Sequence, residues 1–307
     1  MMGRSKEKLE KAAEGVQKAA KEGADARNKG KAGAPEAVPN ISIEVCDLSS
    51  QKSTRAAAAR VVASYPSGID ILVNNAGVMA IPDRRETEDG FELQMATNHY
   101  GHFTLTSLLL PLLAKRPGAR VVNVSSIYHT QGNTTKLGIN LDDMHATKKY
   151  DRWMQYRCTK AANAFFTNEL QRRLEAANLS GPAGITAVTC HPGYSATNLQ
   201  REVTGATIAN ALVAQSQYMG CLPTLMAATG DVPAASYVGP PGMSGYPVVG
   251  EPDARTRDEG TMKALWEHSV VATKTTWDML GGGSGGAAVA GAEAGTAAAG
   301  GGGEARQ

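Results

Sequence analysis

Cysteine is scarce in this 307-residue chain. Four occur, at 46, 158, 190 and 221, and none stands in a C-x-x-C spacing. That pattern excludes a zinc knuckle and a small disulfide framework. It predicts reduced thiols in an intracellular, cytoplasmic protein, with an organelle left open. Net charge is also nearly absent: 31 Lys+Arg against 29 Asp+Glu leave +2, so no general field draws in nucleic acid or an acidic membrane. No hydrophobic run is long enough to span a bilayer, because the longest, about residues 103–114, is short and dotted with Thr and Ser. The opening MMGRSKEKLEK has no apolar stretch of the signal-peptide kind. No Gly-x-Ser-x-Gly elbow joins a predicted strand to a predicted helix, which disfavours a serine hydrolase. His99 and His102 share a helix face without a carboxylate or third ligand, so packed histidines are expected there and no metal site.

What is present divides into three parts. Residues 1–39 are charged and Ala-rich, then Gly/Pro-rich, and read as an amphipathic helix over Arg4 to Glu22 followed by a loop. In that helix Leu9, Ala13, Val16 and Ala20 fall on one face. Residues 281–307 are almost wholly Gly and Ala and are expected to be a disordered tail. Between them, β-branched runs at 41–45, 69–73, 120–124 and 185–189 alternate with helical stretches near 51–64, 92–115 and 153–177. The runs at 69–73 and 185–189 are nearly continuous, as in strands covered on both faces. This alternation predicts an α/β fold, a doubly wound parallel sheet. Ligands of such sheets sit beyond the carboxyl ends of the strands. Polar and turn-forming residues gather there: Cys46-Asp47-Leu48, Asn74-Asn75-Ala76-Gly77, Ser125-Ser126 and Cys190-His191-Pro192-Gly193-Tyr194.

Tyr156 and Lys160 stand four apart in a predicted helix and therefore share a face. A neighbouring ammonium favours the phenolate, so the pair suits general acid/base work on an alcohol oxygen. Ser126, at a strand end, can hydrogen-bond the same oxygen. Asn98 lies mid-helix, where Asn is a mediocre helix former, so it is either exposed or polar with a purpose, such as holding a water near Lys160. A proton-handling site without its own electrophile or nucleophile calls for a hydride carrier.

Asn-Asn-Ala-Gly after a strand, Asn-His-Tyr-Gly-His-Phe in a helix, Val-Asn-Val-Ser-Ser, Tyr-x-x-x-Lys and His-Pro-Gly-Tyr-x-x-Thr follow one another in this order. Over about residues 40–280 the chain thereby resembles the short-chain dehydrogenase/reductase family, in its retinol-dehydrogenase-like branch. The resemblance implies a Rossmann-like fold and an oxidoreductase that uses NADP, NAD being the lesser alternative, on a hydrophobic alcohol, aldehyde or ketone. By the same resemblance Tyr156 is the acid/base, Lys160 tunes it and binds the nicotinamide ribose, Ser126 orients the substrate oxygen, and Asn98 supports a water relay. Ser126 is preferred to Ser125 because it stands three after Asn123. Asp47 and Leu48 would border the adenine, and Asn75, Ala76 and Gly77 would line the cofactor. Pro192, Gly193 and Thr197 would lie at its nicotinamide end, with a substrate lid over 198–216. Tyr237 to Pro240 would form the last strand and its turn, and a helix around Leu265-Trp266-Glu267 would close the domain. A homodimer is a family expectation.

The family's opening strand and T-G-x-x-x-G-x-G turn have no counterpart in this sequence. Arg4 resembles the arginine that follows the second strand and holds the extra phosphate of NADP. The domain therefore reads as incomplete at its N-terminus, a truncated form starting roughly 35 residues late. On this reading the 41–45 strand lacks a partner and the 69–73 strand presents an open apolar edge. The alternative is a noncatalytic binding or scaffold protein on a degraded dehydrogenase fold. A light-dependent reductase of the protochlorophyllide type fits the phrase around Tyr156 less well.

Overall fold

The computed structural model describes residues 1–28, 39–131, 138–195 and 214–281. Its main sheet has five strands in the order β3-β4-β5-β6-β7, where β3 is Ile71–Asn74, β4 Arg120–Val124, β5 Thr186–Cys190, β6 Tyr237–Gly239 and β7 Val248–Gly250. The first four run parallel and β7 closes the edge antiparallel. Tyr237–Gly239 is therefore not the final strand, as the sequence suggests: Val248–Gly250 follows it, a run too short to carry a two-residue alternation. A separate parallel pair joins β1 (Met2–Gly3) to β2 (Glu44–Val45). The expectation that the strand near 41–45 stands alone is thus corrected, because Met2 and Gly3 supply its ladder.

Helices lie on both faces of the main sheet. The element order is β1, α1 (Lys6–Asn28), β2, α2 (Gln51–Ser64), β3, α3 (Leu93–Met95), a π-helical turn at Ala96–Tyr100, α4 (Gly101–Leu113), β4, α5 (Arg152–Ala176), β5, α6 (Gln217–Thr229), β6, β7 and α7 (Glu259–Thr273). Local chemistry starts them: the side chains of Ser50, Asp151, Ser216 and Asp258 accept backbone N–H groups at the first turns of α2, α5, α6 and α7. Helix α1 runs beyond Glu22 to Asn28, and it buries Leu9 and Ala24 while Val16 stays exposed.

Alternate residues of the central strands feed opposite cores, as a period of two requires. Val121 and Ala187 join a core with Phe103, Leu109, Phe166 and Trp266. Val122, Val124, Val188 and Cys190 join the other, with Ala227 and Val238. Strand β3 departs from this. Leu72 enters the first core, but Ile71 and Val73, on the opposite face, are 40% and 38% exposed. The sequence-based expectation of two covered faces therefore holds for 185–189 and fails for 69–73. An apolar run does not reveal whether a helix reaches its second face.

Candidate active site

The carboxyl ends of the parallel strands are held in line by register, Asn74 beside Asn123, Val124 beside Cys190, and Cys190 beside Val238. A buried amide chain reinforces this edge. Asn74 Nδ2 donates to Asn123 Oδ1 (2.8 Å) and Thr106 Oγ1 (2.9 Å), and Asn123 Nδ2 donates to Thr167 Oγ1 (3.0 Å). Strands β3 and β4 are thereby tied to α4 and α5.

Ser126, Tyr156, Lys160 and Asn98 all lie at this edge and all are buried. The Tyr156 hydroxyl lies beside the Ser126 side chain, close enough for the serine to act on its charge state. Lys160 Nζ donates to the Val124 carbonyl at 3.1 Å and lies 5.8 Å from the Tyr156 ring centroid. Ser125 Oγ donates to the Lys160 carbonyl at 2.7 Å, fastening α5 to the end of β4. Asn98 sits in the π-helical turn, a device that displaces one residue from the regular ladder and is frequent at functional sites. It is not exposed. Its amide accepts from Val78 N (2.8 Å) and donates to Val78 O (2.9 Å) and Thr159 Oγ1 (2.9 Å), bracing the loop after β3 against α5. Gly77 packs closely in that loop: a Cβ there would crowd Asn98 Oδ1 at 3.0 Å and come within 3.7 Å of Lys160 Nζ.

Charge states follow burial. Desolvation holds the Tyr156 phenol up at about 12, with the Ser126 side chain acting the other way. The expectation of a lowered phenol is corrected by this: removal of water from the hydroxyl dominates and holds it high. Desolvation likewise brings Lys160 down to about 8, a shift the nearby Cys190 thiol opposes. The remaining surroundings of Tyr156 are apolar, with Met79 and Ala80 in contact and Tyr128 and Trp153 packed alongside. A cleft of about 300 Å³ opens between Tyr128, Asp151, Trp153, Met154 and Arg157.

The other sequence-predicted residues are spread along the same edge and beyond it. Asn75 and Ala76 are exposed at the end of β3. Pro192 O accepts from Ser195 Oγ (2.8 Å) and Gln215 Nε2 (2.6 Å), and Gly193 holds φ +64 in the turn after β5. Arg4, Asp47 and Leu48 follow the strands of the β1–β2 pair, a different sheet. Arg4 is exposed just after β1, and the Asp47 carboxylate is engaged by Ser49 N (3.0 Å) and Ser49 Oγ (2.7 Å). Leu48 is buried with its carbonyl against Gly101, where any side chain would collide. Thr197, residues 198–213 of the expected lid over 198–216, and the tail after 281 lie outside the described residues. The histidines behave as packed residues: His99 Nε2 bonds Ser269 Oγ (2.8 Å) and His102 Nδ1 bonds Asn98 O (3.0 Å).

Sequence reasoning missed two groups behind Ser126. His129 follows in the short helix Ile127–Gln131, and Tyr237 opens β6. The one available signal was a histidine three after the serine, at the spacing of a single helical turn.

Residues 2–137 match the family described as short chain dehydrogenase. Retinol dehydrogenase 14 of Homo sapiens is 40% identical over 166 residues, 54% of this chain and 46% of that protein. Retinol dehydrogenase 13 of Homo sapiens is 42% identical over 156 residues, 50% of this chain and 43% of that protein. The chain thus spans somewhat under half the length of the curated relatives it matches. Among solved structures, an uncharacterized protein from Mycobacterium Paratuberculosis is 41% identical with a TM-score of 0.62, covering 78% of this chain and 77% of that one.

Proposed function

Because the chain belongs to the short-chain dehydrogenase family, in its retinol-dehydrogenase-like branch, we propose that it carries the proton-handling face of an oxidoreductase. The reaction interconverts a hydrophobic alcohol and its aldehyde or ketone, with NADP preferred over NAD. The observation that carries this reading is the buried Tyr156 hydroxyl beside Ser126 and one helical turn from Lys160, at the carboxyl edge of the parallel strands.

The nicotinamide end of a cofactor fits the residues present: Gly77 leaves room over Lys160 Nζ, and Gly193 turns the chain beside the same edge. The NAD(P) that the family uses supplies or accepts hydride when bound. Everything else falls to this chain. Ser126 Oγ holds the substrate oxygen. Tyr156 gives that oxygen a proton during carbonyl reduction and takes it back during alcohol oxidation. Lys160, charged at neutral pH, holds the ribose and favours the phenolate as the proton leaves. Asn98 fixes the loop that forms the floor and supports a water that resupplies the proton through Lys160. Asn75, Ala76 and Gly77 line the cofactor, Asp47 and Leu48 border its adenine, and Arg4 meets the extra phosphate of NADP. Pro192, Gly193 and Thr197 lie against its nicotinamide.

The apolar contacts of Tyr156 with Met79 and Ala80, flanked by Tyr128 and Trp153, support a hydrophobic substrate. So do the curated relatives, which are named for retinol. The test is turnover of a panel of aliphatic and polyene aldehydes with NADPH and with NADH. Carbonyl reduction with NADPH favoured supports the reading, and Arg4→Ala should then erode that preference. A folded protein that neither binds NADPH nor reduces any aldehyde overturns it in favour of a noncatalytic binding role.

A further inference from the structure

We propose that Tyr237 and His129 are positioning residues that clamp the backbone carbonyl of Ser126 and thereby aim its hydroxyl at Tyr156, an inference that rests on the catalytic reading of that serine. Ser126 needs such help. The β4–β5 ladder ends one residue earlier, where Ser125 N donates to Cys190 O at 2.8 Å. Ser126 then leaves the sheet for the short helix Ile127–Gln131. Rotation of its peptide plane would disturb the 126–129 turn and withdraw the Tyr128 N–H that holds Oγ.

Two buried side chains oppose that rotation. Tyr237 Oη donates to Ser126 O at 2.8 Å, and His129 Nδ1 lies 2.7 Å from the same oxygen and 2.9 Å from Tyr237 Oη. With His129 N also 3.0 Å from that oxygen, the carbonyl is surrounded by donors. Donation from Nδ1 makes Nε2 the bare nitrogen, and Nε2 is buried with no hydrogen-bond partner among the described residues. Burial keeps the ring below its ordinary pKa and hence neutral, which is the state this tautomer needs. The rings are stacked into place: His129 and Tyr237 have centroids 4.6 Å apart, and His191 lies on Tyr237 at 5.1 Å. The His191 ring rests over Gly239, where a Cβ would collide with it.

A merely apolar core position would accept phenylalanine without loss. A buried tyrosine hydroxyl is costly unless used, and among the described residues this one bonds Ser126 O and His129 Nδ1. The same turn controls Oγ directly, since Tyr128 N donates to Ser126 Oγ at 3.2 Å.

The test compares wild type, Tyr237→Phe, Ser126→Ala and the double variant, with His129→Asn as the second single variant should Tyr237→Phe fail to fold. Amide hydrogen exchange reads the clamp without any activity: exchange at Tyr128 and His129 should quicken about tenfold in Tyr237→Phe while the amides of β4 and α5 keep their rates. With an aldehyde and NADPH, kcat should fall about tenfold with KM within about twofold, and the substitution should add nothing in the Ser126→Ala background. Unchanged exchange at Tyr128, or an effect on kcat that is undiminished without the serine hydroxyl, overturns the clamp. A wild type that turns over no aldehyde counts against the catalytic reading alone, and the exchange result still decides the clamp.

Discussion

Lys160 and Tyr156 occupy the same dry edge, and burial pushes each toward its neutral form. For the lysine this has a consequence for stability. Its pKa is about 8 in the folded protein, against an ordinary value near 10.5. Between those values the unfolded chain binds more protons than the folded one, so folding gains as pH rises through the window. Below pH 8 the lysine is charged in both states and its full penalty is present, on the order of 3 kcal/mol at 1.4 kcal/mol per unit. In urea denaturation the stability advantage of Lys160→Met over the wild type should therefore shrink as pH rises from 8 toward 10. A variant whose profile matches the wild type would contradict the depressed value. At this scale, chemically distinctive residues were legible: Tyr156, Lys160 and Ser126 announce themselves by type and spacing. Their charge states were not, because desolvation depends on what packs around them. Tyr237 was invisible for a related reason, standing 111 residues from the carbonyl it holds.

At the scale of elements, the π-helical turn at Ala96–Tyr100 and the free side of β3 matter most. Asn98 makes both backbone hydrogen bonds of Val78 that fix the loop after β3. Asn98→Ala leaves those buried groups without partners and should cost about 2–4 kcal/mol in chemical denaturation, more than a surface change would. Asn98→Asp should also lose the donated bond to Val78 O. On β3, Ile71 and Val73 form an exposed apolar pair beside an unpaired backbone edge. Such an edge recruits other strands. Replacing both with lysine should reduce light scattering on storage or mild heating while changing stability by no more than about 0.5 kcal/mol per site. Undiminished aggregation would place its origin elsewhere. Element type followed from periodicity, and α2 and β4 have the bounds the sequence suggests. The π-turn was not legible, since a one-residue displacement leaves the hydrophobic pattern of a helix almost intact. Nor was the two-residue β1, which no alternation can reveal.

At the scale of the molecule, the described residues build a parallel pair and a larger, mostly parallel sheet, and the candidate site belongs to the larger one. Its four clustered residues come from α4's leading turn, the end of β4, and one face of α5, elements brought together only by the parallel order β3-β4-β5-β6. That convergence is what the alternation of strands and helices foretold, because strand ends in such a sheet share one rim. The residues expected around the adenine end, Arg4, Asp47 and Leu48, follow the strands of the smaller sheet. Sequence order does not say that a ladder is interrupted between two parts of a chain, so this separation could not be read in advance.

The account stands on the Tyr156 hydroxyl as the group that moves the proton. Turnover of an aldehyde with NADPH should be measured beside NADPH affinity in wild type and Tyr156→Phe, the affinity by the fluorescence of the nicotinamide. Loss of kcat by more than about a hundredfold with the dissociation constant within about twofold is the predicted result. Turnover retained in Tyr156→Phe would contradict it.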